Sequence, residues 1–231
     1  MLRLNVCLLA LTLVGVTTTA ADKPKGLTID TVKRLIIIDA KIAPRKIDDP
    51  RYKEIYPIEV VACWPFPKGQ KAHETVVTID ITPSDVHKAL EELGLKPGKP
   101  AYGGAEEKVP PAGEGPEVKI YLDLPTEDGG TKRVPIERTM VDKKTQKPLK
   151  NLKWRFTGSV KSKPDPNKPD EVYAADTSGT LIAIFPVTNQ CVFQTDLTMK
   201  EEKYVKLETD KKLLPKEGTP VKLIIEVPKA K

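Results

Sequence analysis

Residues 32–42 read VKRLIIIDAKI, a run dominated by β-branched side chains that predicts a β-strand. Residues 219–227 show the pattern in a stricter form, because apolar residues alternate there with Lys222 and Glu226. Further strands are predicted over residues 58–64, 76–81, 118–124, 132–136, 154–160, 173–176 and 181–185. The last two are predicted to form a hairpin. The chain is therefore expected to be rich in β-structure.

One helix is clearly marked, over residues 83–93. Thr82 is a suitable N-cap residue, Pro83 suits the first helical position, and Asp85 stands where a capping box has its acidic residue. Apolar residues recur at helical spacing along one face. The predicted fold class is α+β, mainly β: an antiparallel or mixed sheet with this one well-marked helix and Pro-rich loops.

The composition excludes several classes of protein. The chain has 231 residues, of which 22 are proline, and a formal net charge of +6 at pH 7. Its lysines are interleaved with acidic residues, as in Glu201-Glu202-Lys203. A nucleic-acid-binding protein usually clusters Lys and Arg beside aromatic residues, so no nucleic-acid partner is predicted. The proline content also argues against a coiled coil.

Residues 1–21 have the pattern of a secretory signal peptide. A short basic segment precedes an uncharged apolar run over residues 6–16, and small residues follow up to Ala20 and Ala21. A helix of that run would span about 16 Å, against a hydrocarbon core of about 30 Å, so no transmembrane anchor is predicted. We expect cleavage near Ala20 or Ala21 and a periplasmic or extracellular protein, with residues 22–231 forming a single domain.

The residues with the richest chemistry lie within 16 positions of one another, and they are Glu59, Cys63, His73 and Glu74. A Cys–His pair can generate a thiolate nucleophile, with a carboxylate in support. Cys63, His73 and Glu74 are also residue types that bind zinc or iron. Their spacing matches no established motif, so the four are candidates for catalysis, and three of them for a metal, without a defined role. No cofactor is predicted.

The strand register favours a structural role for Cys63. If residues 58–64 and 73–81 form a hairpin, alternation places Cys63 with Glu59 and Glu74, on the face opposite His73. Nearby carboxylates raise the pKa of a thiol, which opposes nucleophilic reactivity. Cys63 and Cys191 could also form a disulfide in an oxidising compartment, and the sequence leaves that open.

Several stretches, in order along the chain, resemble the YdjY domain family of exported bacterial proteins. They include IEVVAC at 58–63, HET at 73–75, LGLKPG at 93–98, WRFTGS at 154–159, YAAD at 173–176 and GTPV at 218–221. The resemblance covers nearly all of residues 22–231 and implies export. Members of the family tend to have Glu, Cys and His-Glu at the positions of Glu59, Cys63, His73 and Glu74. The resemblance implies no established activity.

Two hypotheses about function follow. The first is a non-catalytic binding or interaction module of the cell envelope, with an unknown envelope partner or a small ligand. It rests on the absence from the sequence of the GxSxG, Walker A, GxGxxG and HExxH motifs. The alternative is a thiol- or metal-dependent enzyme that uses Cys63, His73 and Glu74.

Overall fold

The computed structural model describes residues 24–104, 106–109, 111–163, 167 and 169–229. The described strands are β1 (Leu27–Asp30), β2 (Leu35–Ile42), β3 (Val60–Cys63), β4 (Thr75–Ile79), β5 (Glu117–Pro125), β6 (Thr131–Pro135), β7 (Met140–Asp142), β8 (Trp154–Phe156), β9 (Lys161–Ser162), β10 (Val172–Tyr173), β11 (Thr180–Ala183), β12 (Phe193–Thr195), β13 (Leu207–Thr209) and β14 (Pro220–Glu226). The described α-helices are α1 (Pro83–Glu92), α2 (Ala174–Ser178) and α3 (Met199–Tyr204). The predicted signal peptide lies outside the described residues.

Eight of the strands close into a barrel. The order is β2-β14-β5-β8-β12-β11-β3-β4, and β4 pairs again with β2. Six of the eight contacts in this ring are antiparallel, whereas β11–β12 and β3–β4 are parallel. Strands β1 and β6 extend the sheet from β2 and β5, outside the ring. Closure leaves no free hydrogen-bonding edge in the ring itself.

The barrel closes around an apolar core because its strands alternate inward and outward side chains. On β2 the buried residues Ile36, Ile38 and Ile42 alternate with the exposed Asp39 and Lys41. On β14 and β5 the inward residues are likewise apolar and the outward ones mostly charged. Strand β3 differs, since all four of its residues are fully buried. It therefore lies beneath other parts of the chain on both of its faces.

The predicted fold class is wrong in its main feature, because the sheet is a closed barrel. The β2–β4 pairing joins what would otherwise be two distant edges, as Ala40 faces Ile79 and Ile42 faces Val77. Alternation along a strand specifies which face is buried but not which strands are neighbours. An open sheet and a closed barrel therefore have the same alternating sequence pattern. The helix predicted over residues 83–93 is present as α1, with two short helices in addition.

The hairpin predicted for residues 173–176 and 181–185 is also absent, and so is the hairpin considered for residues 58–64 and 73–81. Residues 174–178 form α2, and Tyr173 pairs with Lys161 in a separate two-stranded sheet. Strands β3 and β4 run parallel, with Val60 facing Thr75, and the chain crosses over between them through residues 64–74. In the first place a short helix replaces most of the predicted strand, and in the second the connection returns the chain so that β4 runs parallel to β3.

Among the described residues, no helix has the length and apolar character needed to cross a membrane.

Candidate functional site

The parallel pairing of β3 and β4 brings Glu59 and Glu74 together. Glu59 directly precedes β3, and Glu74 ends a short 3-10 helix (Ala72–Glu74) that leads into β4. The Glu59 backbone N–H donates to the Glu74 carbonyl oxygen at 3.1 Å. The crossover fits closely at Gly69, where a Cβ would lie 2.0 Å from the Trp64 carbonyl oxygen. This tight path sets the 3-10 helix beside Glu59.

Lys71 joins the two carboxyl groups. Its Nζ lies 2.5 Å from Glu74 Oε1 and 3.7 Å from Glu59 Oε2. Burial raises the pKa of Glu59 to about 7, the negative charge of Glu74 adds to the rise, and Lys71 opposes it. Below that pH the protonated Glu59 carboxyl group donates a hydrogen bond to Glu74. Beside the Lys71 ammonium, Glu59 is therefore neutral while it holds its proton and negatively charged once the proton has left.

His73 lies in an aromatic setting beside these carboxyl groups. Its ring stacks on Tyr52, with centroids 4.5 Å apart, and meets Tyr56 edge-on at 5.1 Å. Its Nε2 is 3.7 Å from Glu74 Oε2, which is beyond hydrogen-bond distance. Burial, and then the charge of Lys71, lower the pKa of His73, so the ring is neutral at pH 7. Its Nδ1 is buried without a hydrogen-bond partner among the described residues.

Cys63 is not brought together with His73. Its side chain is fully buried, and its Sγ lies 3.9 Å from Thr180 Oγ1. Burial raises the pKa of the Cys63 thiol to about 11, so only a very small fraction is thiolate at neutral pH. Cys63 and Cys191 are both buried, free thiols. Within the described part of the chain, no group of three or more His, Cys, Asp or Glu side chains is arranged to hold a metal ion.

A second polar cluster, which the sequence did not indicate, surrounds His87 on α1. Its Nδ1 lies 2.7 Å from the Tyr173 hydroxyl, which also accepts the Ser159 N–H at 3.0 Å. The tautomer of His87 decides which of the two groups donates in this hydrogen bond. Burial lowers the pKa of His87 and raises that of Tyr173. These bonds fix α1 to the segment that precedes α2, which is a structural task.

A groove of about 660 Å³ crosses the outer face of the barrel over β4, β2, β14 and β5. The outward side chains at its floor include Lys41, Thr78, Asp80 and Lys222. At one rim it is bounded by residues 25–26, and at the other by Pro125 and Thr131. None of the four residues selected from the sequence lines it.

The groove is not predicted by the sequence, although part of its signal is visible there. Asp39, Lys41, Asp123 and Lys222 are charged residues in otherwise apolar strands, and alternation places each on an outer face. Their convergence depends on register: Lys222 faces Asp39 on β2 and Asp123 on β5. Pairs so far apart in the chain cannot be assigned from one sequence.

A family model for the YdjY domain matches residues 27–226 of the chain. The matched region contains every described strand and helix. No curated protein and no solved structure shows significant similarity to the chain.

Proposed function

The chain belongs to the YdjY domain family, and on that premise we propose that it is a non-catalytic binding module of the cell envelope that holds a small ligand in the groove. The observation that carries the proposal is the groove itself. Its volume of about 660 Å³ falls within the range of small-molecule sites. Its lining contains charged, apolar and threonine residues but no Cys or His, so it lacks the thiol and the imidazole on which the enzyme hypothesis depends.

The residues with catalytic chemistry support this proposal by their placement. Lys71 lies within ion-pair distance of both Glu59 and Glu74, so these groups compensate one another's charge. Cys63 is buried with a raised pKa, which disfavours a thiol mechanism. None of these residues lines the groove.

Calorimetric titration with 8-anilinonaphthalene-1-sulfonate tests whether the groove binds small molecules. We expect one site per chain and a loss of affinity of about tenfold or more in Thr78→Trp, because the indole would occupy the floor of the groove. Thr28→Trp is the matched control, since Thr28 is an exposed threonine of β1 that does not line the groove. Equal affinities of Thr78→Trp and the wild type would rule out the groove as the site.

The envelope location rests on the sequence of residues 1–21. Intact-mass measurement of protein recovered from the cell envelope is expected to give an N-terminus at Ala21 or Asp22. Recovery of a chain that starts at Met1 would contradict export with cleavage. This measurement is independent of the dye titration, so location and binding are tested separately.

A further inference from the structure

Two oppositely charged side chains of the groove lack an ion-pair partner. Lys41 and Asp80 are both exposed, and neither is within ion-pair distance of an opposite charge among the described residues. Most neighbouring charges are paired: Lys222 Nζ lies 2.5 Å from Asp39 Oδ1, and Arg133 binds Asp123 through two hydrogen bonds, at 2.7 and 2.8 Å. The floor of the groove therefore has one ammonium, that of Lys41, and one carboxylate, that of Asp80, without an ion-pair partner among the described residues.

The ladder between β2 and β4 fixes how Lys41 and Asp80 are arranged. Lys41 faces Thr78 across the ladder, and the exposed Asp80 directly follows the last residue of β4, the buried Ile79. Alternation places Asp80 on the same side of the sheet as Thr78, so both charges lie near this end of the β2–β4 ladder. Both charges border the short Thr78 side chain, which leaves the space between them open. A ligand can be held there by both charges at once.

The rest of the groove suits an apolar group. Pro220 faces Lys41 across the β2–β14 ladder, and Pro125 faces Thr131 across the β5–β6 ladder. Neither proline carries a charge or a backbone N–H. Toward β5 the lining therefore combines these two prolines with Lys222 and Asp123, whose charges are already paired with Asp39 and Arg133.

We infer that the groove recognises a free α-amino acid with an apolar side chain, whose ammonium group binds Asp80 and whose carboxylate binds Lys41. The apolar side chain then lies over Pro220 and Pro125. Lys25, at the rim beside Gly26, is a further exposed ammonium without an ion-pair partner among the described residues and adds to the attraction for the carboxylate. The inference rests on the proposed function and names the ligand class for the same groove.

The competing ligand class is a simple anion, because Lys25 and Lys41 together outnumber Asp80. An anion would be repelled by Asp80, whereas a zwitterion satisfies both signs. The two classes therefore differ in their dependence on Asp80. Within the described part of the chain, neither Asp80 nor Lys41 makes a side-chain hydrogen bond or ion pair, so their amide replacements are expected to fold normally.

Four probes with the same phenyl group separate these cases: L-phenylalanine, 3-phenylpropionate, phenethylamine and N-acetylphenylalaninamide. Binding is followed through the backbone amide signals of β2, β4 and β14 in the ¹⁵N-labelled mature protein. We expect L-phenylalanine to bind about tenfold or more tightly than each of the other three. Asp80→Asn and Lys41→Gln should each weaken it by about tenfold, and Lys150→Gln, at an exposed lysine outside the groove, should not.

These experiments distinguish the assignment of an amino acid as the ligand from the proposal that the groove binds a small molecule. Equal binding of 3-phenylpropionate and L-phenylalanine, or full binding by Asp80→Asn, would overturn the amino-acid assignment while leaving a ligand groove in place. Absence of any response in the groove signals to all four probes would also overturn it. The proposed binding function fails separately, through the dye titration of Thr78→Trp.

Discussion

At Glu59, strand pairing and burial together determine the pKa of a carboxyl group. The carboxyl group of Glu59 is partly buried beside that of Glu74, and both are within ion-pair distance of the single ammonium of Lys71. The pKa of Glu59 is raised from 4.5 to about 7, so the folded chain holds a proton that the unfolded chain releases at lower pH. The stability supplied by protonated Glu59 is present in full below about pH 4.5 and is lost as the pH rises through about 7.

Replacement of Glu59 by Gln should remove this dependence. Glutamine keeps a neutral hydrogen-bond donor toward Glu74 at every pH. We expect Glu59→Gln to match the wild type at pH 4 and to be more stable by about 2 kcal/mol at pH 8, measured by denaturant unfolding. Glu127→Gln, at an exposed turn residue, serves as the control and should track the wild type. A Glu59→Gln advantage that is the same at both pH values would contradict the raised pKa.

Cys63 gives a second prediction at this scale. Because its side chain is fully buried and its pKa is raised to about 11, iodoacetamide should modify it in the native state far more slowly than in urea. Cys63→Ala should cost about 1–2 kcal/mol through lost burial. Cys63→Ser should cost more, because a hydroxyl replaces an apolar thiol in the core. Rapid, selective labelling of native Cys63 would instead favour the thiol-enzyme hypothesis.

At the scale of elements, α1 shows how tertiary contacts replace a local cap. Thr82 does occupy the N-cap position, but its side chain makes no capping hydrogen bond. The Ser84 N–H donates instead to Asp176 Oδ1 at 2.8 Å, so the cap comes from α2. The predicted side-chain cap was therefore wrong although the start of the helix was correct. A capping box is present in α3, where Thr198 and Glu201 form it.

Because Asp176 and not Thr82 caps α1, we expect substitution of the distant Asp176 to destabilise the helix more than substitution of the N-cap residue itself. Asp176→Ala should lower the free energy of unfolding by about 1 kcal/mol, the usual cost of losing an N-cap acceptor. Asp176→Asn keeps an acceptor and should recover most of it. Thr82→Ala should leave the unfolding midpoint nearly unchanged. Urea denaturation of the three variants checks the order, and a larger loss in Thr82→Ala than in Asp176→Ala would contradict the assignment.

The sequence predicts elements well where their signal is local. The run at 32–42 contains β2, although the strand begins only at Leu35 because residues 31–34 form a turn with Arg34 at φ +56°. Gly94 ends α1, because its φ of +84° turns the chain out of the helix. The Gly94 N–H donates to the Glu91 carbonyl oxygen, and the Leu95 N–H donates to the Leu90 carbonyl oxygen. Strands β1, β7, β9, β12 and β13 were not predicted, and β10 was predicted only at Tyr173, because runs of two to four residues carry little periodic signal.

At the scale of the whole molecule, the features that could not be predicted are those that depend on distant pairing. Leu223 faces Ile38 across the β14–β2 ladder, although the two residues stand near opposite ends of the chain. Long-range ladders create both sites. The β3–β4 ladder sets Glu59 beside Glu74, and the ladders of β14 set Lys222 between Asp39 and Asp123. Sequence patterns indicated which residues carry charge and which face is apolar, whereas the barrel determines which charges meet.

Barrel closure itself can be tested by amide hydrogen exchange. In an open sheet, residues 40–43 at β2 and residues 76–79 of β4 would have backbone amides without a partner across this seam. In the closed barrel, the Ala43 N–H donates to the Val76 carbonyl oxygen at 3.0 Å. We expect the Ala43 amide to exchange at least about a hundredfold more slowly than the amide of Val32, which lies in an exposed turn. The amides of β14, paired on both sides, give the reference for a strand inside the ring. Exchange at Ala43 and along β4 as fast as at Val32 would mean that the barrel opens between β2 and β4, and the groove that crosses this seam would lose the fixed spacing of Lys41 and Asp80.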